Sequence, residues 1–311
     1  MHLTLIETGG TICMTAGPNG LRPAPEKVAA ALAQIAPGQR LDHQKLDPLI
    51  DSADLGPTVW NALLDRIDAA PGPVIITHGT DTMEETGIFL HATLGKLASH
   101  YKKAVVLTGA MLPANADHSD GQTNLKSALL LAKQAKEAQQ FGILAIMAGK
   151  PCLARELSKQ HTHALDALVV NARELDGPIH KRQADLHLPA EANWPWVEIV
   201  TSHAGAKPKL VEMLVSVGVQ GIVVAGTGQG SVNKVLAEQL IFAAEQGVAV
   251  IRSSRTGAGA VFSEIPEPDQ SWNWLCARDL SAPKARIALQ LSLLEANSRK
   301  TDDWQSIFAT I

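Results

Sequence analysis

The stretch Leu3-Thr4-Leu5-Ile6-Glu7-Thr8-Gly9-Gly10-Thr11-Ile12 decides how the chain is read. An apolar run of strand length breaks into a Thr-Gly-Gly-Thr turn. About seventy residues on, Val74-Ile75-Ile76 runs into Thr77-His78-Gly79-Thr80-Asp81-Thr82, a second strand that ends in a threonine-bearing turn. The C-terminal ends of strands are where open α/β sheets bind ligands. Paired glycines let a backbone turn sharply and free its amide N–H groups to point at a ligand. A threonine hydroxyl is a weak nucleophile until a neighbouring base activates it. Two such turns, one ending in Thr80-Asp81, imply an acyl-transfer site built on hydroxyls. Thr82 with Glu85 three residues on reads as a capping box for a helix over 83–94.

Working outward, further apolar runs at 104–108 and 143–148 read as strands, and helical spacing recurs between the runs. Val28, Leu32 and Ile35 fall on one helix face, as do Val59, Leu63 and Ile67, and Leu125, Leu129 and Ala132. Repeated β-then-α units predict an α/β fold whose N-terminal sheet is mostly parallel, with helices on both faces. The stretch 176–195 is polar, carries Pro178, Pro189 and Pro195, and reads as a connection. A second α/β series follows, with strands at 197–201, 221–225 and 248–252 and helices near 207–217, 232–246 and 283–296. The expected organisation is an N-terminal domain over 1–177, a linker over 178–196 and a smaller C-terminal α/β domain over 197–311.

The 311 residues are 46% hydrophobic and 19% charged, with a net charge of −4, so nothing draws the chain to nucleic acid or an anionic membrane. Its apolar runs fall short of the ~20 residues a spanning helix needs. No secretory leader is read at the N-terminus, so the expected location is cytoplasmic. Cys13, Cys152 and Cys276 fit neither a disulfide framework nor a zinc site. His161-Thr162-His163 and Asp117-His118-Ser119-Asp120 lack any established metal spacing.

The chain resembles the bacterial-type L-asparaginase family, which includes the glutaminase-asparaginases. The shared segments are TGGTI at 8–12, THGTDTMEET at 77–86, GAM-x-P at 109–113, DG-x-x-NL at 120–125 and RSSR-x-G at 252–257. The resemblance spans nearly the whole chain, and the ten-residue block is its most specific part. It implies a flavodoxin-like N-terminal domain and an amidohydrolase that converts L-asparagine to L-aspartate and ammonia through a threonine acyl-enzyme, without a cofactor. By resemblance Thr11 is the nucleophile, and Thr80, Asp81 and Lys159 form the second catalytic group. Gly10, Ser52, Thr80 and Asp81 bind substrate, Ser52 taking the α-carboxylate and Asp81 the α-ammonium. The chemistry is coherent, because a desolvated lysine among polar groups can serve as base. The resemblance also implies a homodimer or homotetramer, with Glu264 the candidate acid supplied across subunits. A glutaminase-asparaginase of broader specificity and a non-catalytic asparagine-binding protein are the alternatives.

Three departures from the family pattern stand out. The family's lid tyrosine has no counterpart, because the single tyrosine, Tyr101, lies far from residues 16–23. Ala53 follows Ser52 where many members carry glutamine. Ser231 in Gly228-Gln229-Gly230-Ser231 stands where the family has asparagine. A rival reading takes Gly226-Thr227-Gly228-Gln229-Gly230 with Arg252 and Arg255 as a dinucleotide turn with arginines for a 2′-phosphate.

No metal is expected in the chemistry, so EDTA should leave amide hydrolysis unchanged. A loss of rate that added divalent cation restores would contradict this reading.

Overall fold

The computed structural model describes residues 2–24, 26–100, 102–170, 186, 193–263, 272 and 274–311. The chain forms two compact units. The first contains β1 (His2–Gly9), β2 (Met14–Gly17), β3 (Gly20–Pro23), α1 (Glu26–Ile35), β4 (Arg40–Ile50), α2 (Pro57–Ala69) and β5 (Val74–Thr77). It continues with α3 (Met83–His100), β6 (Ala104–Thr108), α4 (Gly121–Glu137), β7 (Gly142–Met147), β8 (Lys150–Leu153), β9 (Leu157–Lys159) and β10 (Leu168–Val170).

Its main sheet has the order β4-β1-β5-β6-β7-β8, parallel throughout except for the antiparallel β8. Ranked along the chain, the parallel strands run 2-1-3-4-5, the flavodoxin-like order, whose switch point lies between the first and third strands. Here those strands are β1 and β5, so the two threonine turns emerge side by side.

The central strands are apolar because both faces are covered. Leu3, Leu5, Ile75 and Val106 pack with α1 and α4 through Val28, Leu32, Leu125 and Leu129. On the helices α2 and α3, Trp60 stacks on Phe89 with ring centroids 5.1 Å apart.

The β4 strand was not expected. Its sequence Arg-Leu-Asp-His-Gln-Lys-Leu-Asp-Pro-Leu-Ile carries no apolar run because it lies at the sheet edge and is largely solvated. Pro48 falls where its ladder with β1 is interrupted, a position that tolerates a missing N–H.

The stretch 16–23, matched above to the family's lid, falls in the antiparallel hairpin β2–β3. Asn115 clips it through both backbone groups of Ala16: its Oδ1 accepts from Ala16 N at 2.7 Å and its Nδ2 donates to Ala16 O at 2.9 Å. Ala114 N adds a bond to Met14 O at 2.9 Å. The clip is itself anchored. Asp120 accepts the amides of Met111 and Leu112, and Asn124 donates to Gly109 O while accepting from Ala148 N.

The second unit holds β11 (Val197–Thr201), α5 (Lys209–Ser216), β12 (Gly221–Gly226), α6 (Lys234–Glu245), β13 (Ala249–Ser254), β14 (Leu275–Cys276), α7 (Ala282–Arg299) and α8 (Trp304–Thr310). Its four strands are parallel in chain order. The last long helix starts as its sequence predicts, with the Ser281 hydroxyl capping and Pro283 in the first turn. Most of the expected connection, together with Glu264 and Tyr101, lies outside the described residues. Among the described residues no helix is long and apolar enough to cross a membrane.

Each net protein hydrogen bond contributes about 1 kcal/mol, so Asn115→Ala should lower the local stability of residues 14–23 by roughly that amount or more. Amide exchange there should quicken about fivefold or more, while the global unfolding midpoint barely moves. Exchange indistinguishable from wild type would show that the hairpin holds itself.

Candidate active site

Gly9 and Gly10 lead out of β1 at φ values of 128° and 80°, left-handed conformations that favour glycine. A side chain at Gly10 would run into the backbone of Gly79 in the second turn. One at Gly79 would strike the Ser52 side chain. The two turns therefore meet backbone to backbone, with Ser52 closing the other side. The Thr8 hydroxyl donates to Thr77 O at 3.0 Å and stitches the strands just below that contact.

Thr11 follows Gly10 and opens a half-buried 3-10 turn, Thr11–Cys13. Among the described residues, no hydrogen bond takes its hydroxyl. Thr80 is buried, and its Oγ1 accepts from Lys159 Nζ at 2.9 Å. The same ammonium pairs with Asp81 Oδ1 at 2.5 Å. The Asp81 side chain is 62% exposed and that of Lys159 only 15%, so the lysine reaches up from a covered base to a carboxylate at the surface. In this arrangement Lys159 donates twice. Thr80 accepts from it and keeps its own hydrogen to direct elsewhere.

Ser52 is 2% exposed and starts a 3-10 turn capped by Asp51, whose Oδ1 accepts from Ala53 N. The helix starts at Met83 as expected, with Thr82 O accepting from Glu85 N and Thr86 N, and the Thr82 side chain turns to Ser52. Its hydroxyl donates to Ser52 O at 2.6 Å and braces the 52–54 turn against the second threonine turn. Gly10, Ser52, Thr80, Asp81 and Lys159 thus form one contact group, with Thr11 next in chain to Gly10.

Sequence reasoning missed the support beneath this group. His78 is fully buried, and burial lowers its pKa to about 4, so the ring is neutral. Its Nδ1 lies 2.7 Å from Gly79 O, which only accepts, so Nδ1 carries the proton. Nε2 then accepts from Thr86 Oγ1 at 2.8 Å, and that oxygen accepts from Trp60 Nε1 at 3.0 Å. A directed chain thus runs from Trp60 through Thr86 and His78 to the Gly79 carbonyl. A histidine beside a glycine turn hints at such a role, but its partners come from two separate helices.

Below the first turn, Glu7 is wholly buried and Oε1 lies 2.6 Å from His43 Nε2. Its other oxygen has no hydrogen-bond partner, and the Cys13 thiol adjoins the carboxyl group. Burial raises the Glu7 carboxyl pKa against the opposing pull of His43, and burial likewise raises that of the Cys13 thiol.

The dinucleotide reading of the second unit loses two of the amides it needs. Gly230 N and Ser231 N both bond Thr227 O, so they are not free to cradle phosphate. Arg252 is buried and donates to Gln229 O and Phe262 O. Nor is the His161–His163 pair idle, because His161 Nδ1 accepts the amides of His163 and Ala164 and closes a turn.

Known proteins share the sequence pattern of both units. Residues 2–191 match the profile of the asparaginase N-terminal domain, and residues 196–308 match that of the glutaminase/asparaginase C-terminal domain. The chain is 32% identical to L-asparaginase 2 of Escherichia coli, over 94% of this chain and 89% of that protein. It is 30% identical to a probable periplasmic L-asparaginase of Haemophilus influenzae, over 96% and 90%. It is 35% identical to a glutaminase-asparaginase of Acinetobacter glutaminasificans, over 73% and 72%. The crystal structure of a probable cytoplasmic L-asparaginase from Campylobacter jejuni superposes with a TM-score of 0.84 at 30% identity, covering 99% of this chain and 98% of that one.

The buried neutral His78 makes stability depend on pH in one direction. An unfolded histidine titrates near 6.5 and the folded one near 4, so between these values the unfolded chain binds the extra proton. The contribution is complete above pH 6.5 and is lost on acidification, with a slope approaching about 1.4 kcal/mol per pH unit. Urea unfolding from pH 7 to 4.5 should show this loss in the wild type and a shallower one in His78→Gln. Parallel curves would place the histidine's proton elsewhere.

Proposed function

The chain belongs to the asparaginase family, and from that premise we propose that it hydrolyses the side-chain amide of L-asparagine, giving L-aspartate and ammonia. The observation that carries this reading is the Lys159 ammonium held between Thr80 Oγ1 and Asp81 Oδ1 beside the contact of the two glycine turns.

In the proposed cycle the Thr11 oxygen attacks the amide carbon. The oxyanion that forms is met by turn N–H groups and by the hydrogen Thr80 retains, each such donor being worth about 3 kcal/mol in related chemistry. The C–N bond breaks, the nitrogen takes the proton that the Thr11 hydroxyl gives up and leaves as ammonia, and a β-aspartyl ester remains on Thr11. Water then attacks the ester, restoring the hydroxyl and releasing aspartate. Lys159 rests as a double donor, so its positive charge stabilises negative charge building at Thr80 or on the substrate oxygen. Service as a base begins only after it has lost a proton. Asp81 spends one oxygen on Lys159 and has the second for the substrate α-ammonium. Ser52 serves the α-carboxylate.

L-Asparagine is the proposed preferred substrate. L-Glutamine differs by one methylene, which separates substrates by only about 1–3 kcal/mol. The glutaminase-asparaginase among the relatives supports a second, broader reading. We further propose a homodimer or homotetramer acting in the cytoplasm. The cytoplasmic description of the Campylobacter neighbour supports that location, while the Haemophilus relative is described as periplasmic.

Steady-state ammonia release should rank L-asparagine above L-glutamine and D-asparagine. Thr11→Ala, Thr80→Val and Lys159→Met should each lower kcat by about a thousandfold or more. Wild-type turnover in either threonine variant would refute the two-threonine site. Asparagine binding without turnover in the wild type would identify a binding protein instead.

A further inference from the structure

Lys159 must deliver its amine between Thr80 and Asp81 from β9, a strand of three residues. The strand's own pairing, Lys159 opposite Leu168 with Gln160 N bonded to Ala167 O, fixes only the backbone. The residues on either side of the lysine are tied as well. Gln160 Nε2 donates to Ser158 Oγ at 2.9 Å, and Ser158 Oγ donates to Glu84 Oε2 at 3.1 Å. Ser158 is 2% exposed, so water does not compete readily for its hydroxyl.

Glu84 stands in the first turn of α3, three residues after Asp81 and four after Thr80. The anchor of the lysine's strand and the lysine's two targets therefore belong to one short segment. A second contact acts on the same helix face one turn later. A Cβ on Gly87 would come within 2.6 Å of Ala154 O, in the 3-10 turn that feeds directly into β9. The helix thus grips the 154–159 segment at two points, by close backbone approach at Gly87 and by a directed hydrogen-bond chain at Glu84.

We propose that Glu84, acting through Ser158, is a positioning residue that sets the reach of Lys159 onto Thr80 and Asp81. This inference rests on the amidohydrolase reading above. Neither Glu84 nor Ser158 touches substrate. Their part is to keep β9 from sliding along α3, since a displacement of about 1 Å at a reacting group can lower a rate by a hundredfold.

The test compares Glu84→Ala, Ser158→Ala, their double variant and the conservative Ser158→Thr, with rates normalised to folded protein. Each alanine variant should lose about 10- to 100-fold in kcat on L-asparagine with KM changed less than about threefold. The double variant should be no worse than the more damaged single one, as expected for residues acting as one unit. Ser158→Thr, which keeps the hydroxyl, should recover most of the rate. Additive losses, or a Ser158→Ala rate within about twofold of wild type, would overturn the proposal. If wild type itself fails to turn over asparagine, the functional reading fails separately. The Lys159 side-chain NMR resonances then decide the positioning role: they shift in Ser158→Ala and return in Ser158→Thr if it holds, and stay unchanged in both if it does not.

Discussion

The contact between Gly10 and Gly79 governs the candidate site. Two neighbouring parallel strands are held at the sheet's spacing, and each must reverse direction at its tip. With a side chain on either glycine the turns would be forced apart by the width of at least a methyl group. Without one, backbone lies on backbone, and Thr11 on one turn and Thr80 on the other follow directly in the chain from the touching glycines. The bracing around them serves this approach. Thr8 ties the strands below it, Thr82 ties in the turn that bears Ser52, and the Trp60–Thr86–His78 chain fastens the Gly79 carbonyl from beneath.

The parts of this arrangement that were legible in sequence are those whose physics is local. β1, β5, β6 and β7 were readable because strands covered on both faces must be continuous apolar runs. β4 escaped because an edge strand needs no such run, and the hairpin β2–β3 because eight exposed or half-exposed residues leave no pattern. The threonines and Asp81 stood out by their place after strands. Lys159 and Ser52 did not, since nothing in a lone lysine or serine tells a covered, paired side chain from a solvated one. They were reached only through the family resemblance. The support beneath the site was illegible for a stronger reason. It joins residues 60, 78 and 86, and 84, 158 and 160, whose proximity exists only after the layers have packed.

Two segments that carry the resemblance have a shared mechanical meaning. In 109–113 and 120–125 the acidic side chain of Asp120 gathers the amides of Met111 and Leu112, and Asn124 spans from Gly109 O to Ala148 N. Side chains at the start of one helix thus hold the C-terminal ends of β6 and β7 in place. Their residue types follow from the need to satisfy backbone groups where strands end and no ladder partner remains. Glu7 is the opposite case. A carboxylate inside the sheet, with one oxygen on His43 and the other lacking a polar partner, is a costly choice that local packing alone does not require.

The Asn115 clip decides the state in which the segment after the first threonine turn is held. The segment that follows Thr11 is fastened at Ala16 and Met14 to a frame which is itself fastened to α4. The entropy lost in ordering that segment is therefore part of the cost of folding, offset by the bonds that Asn115 and Ala114 make to it.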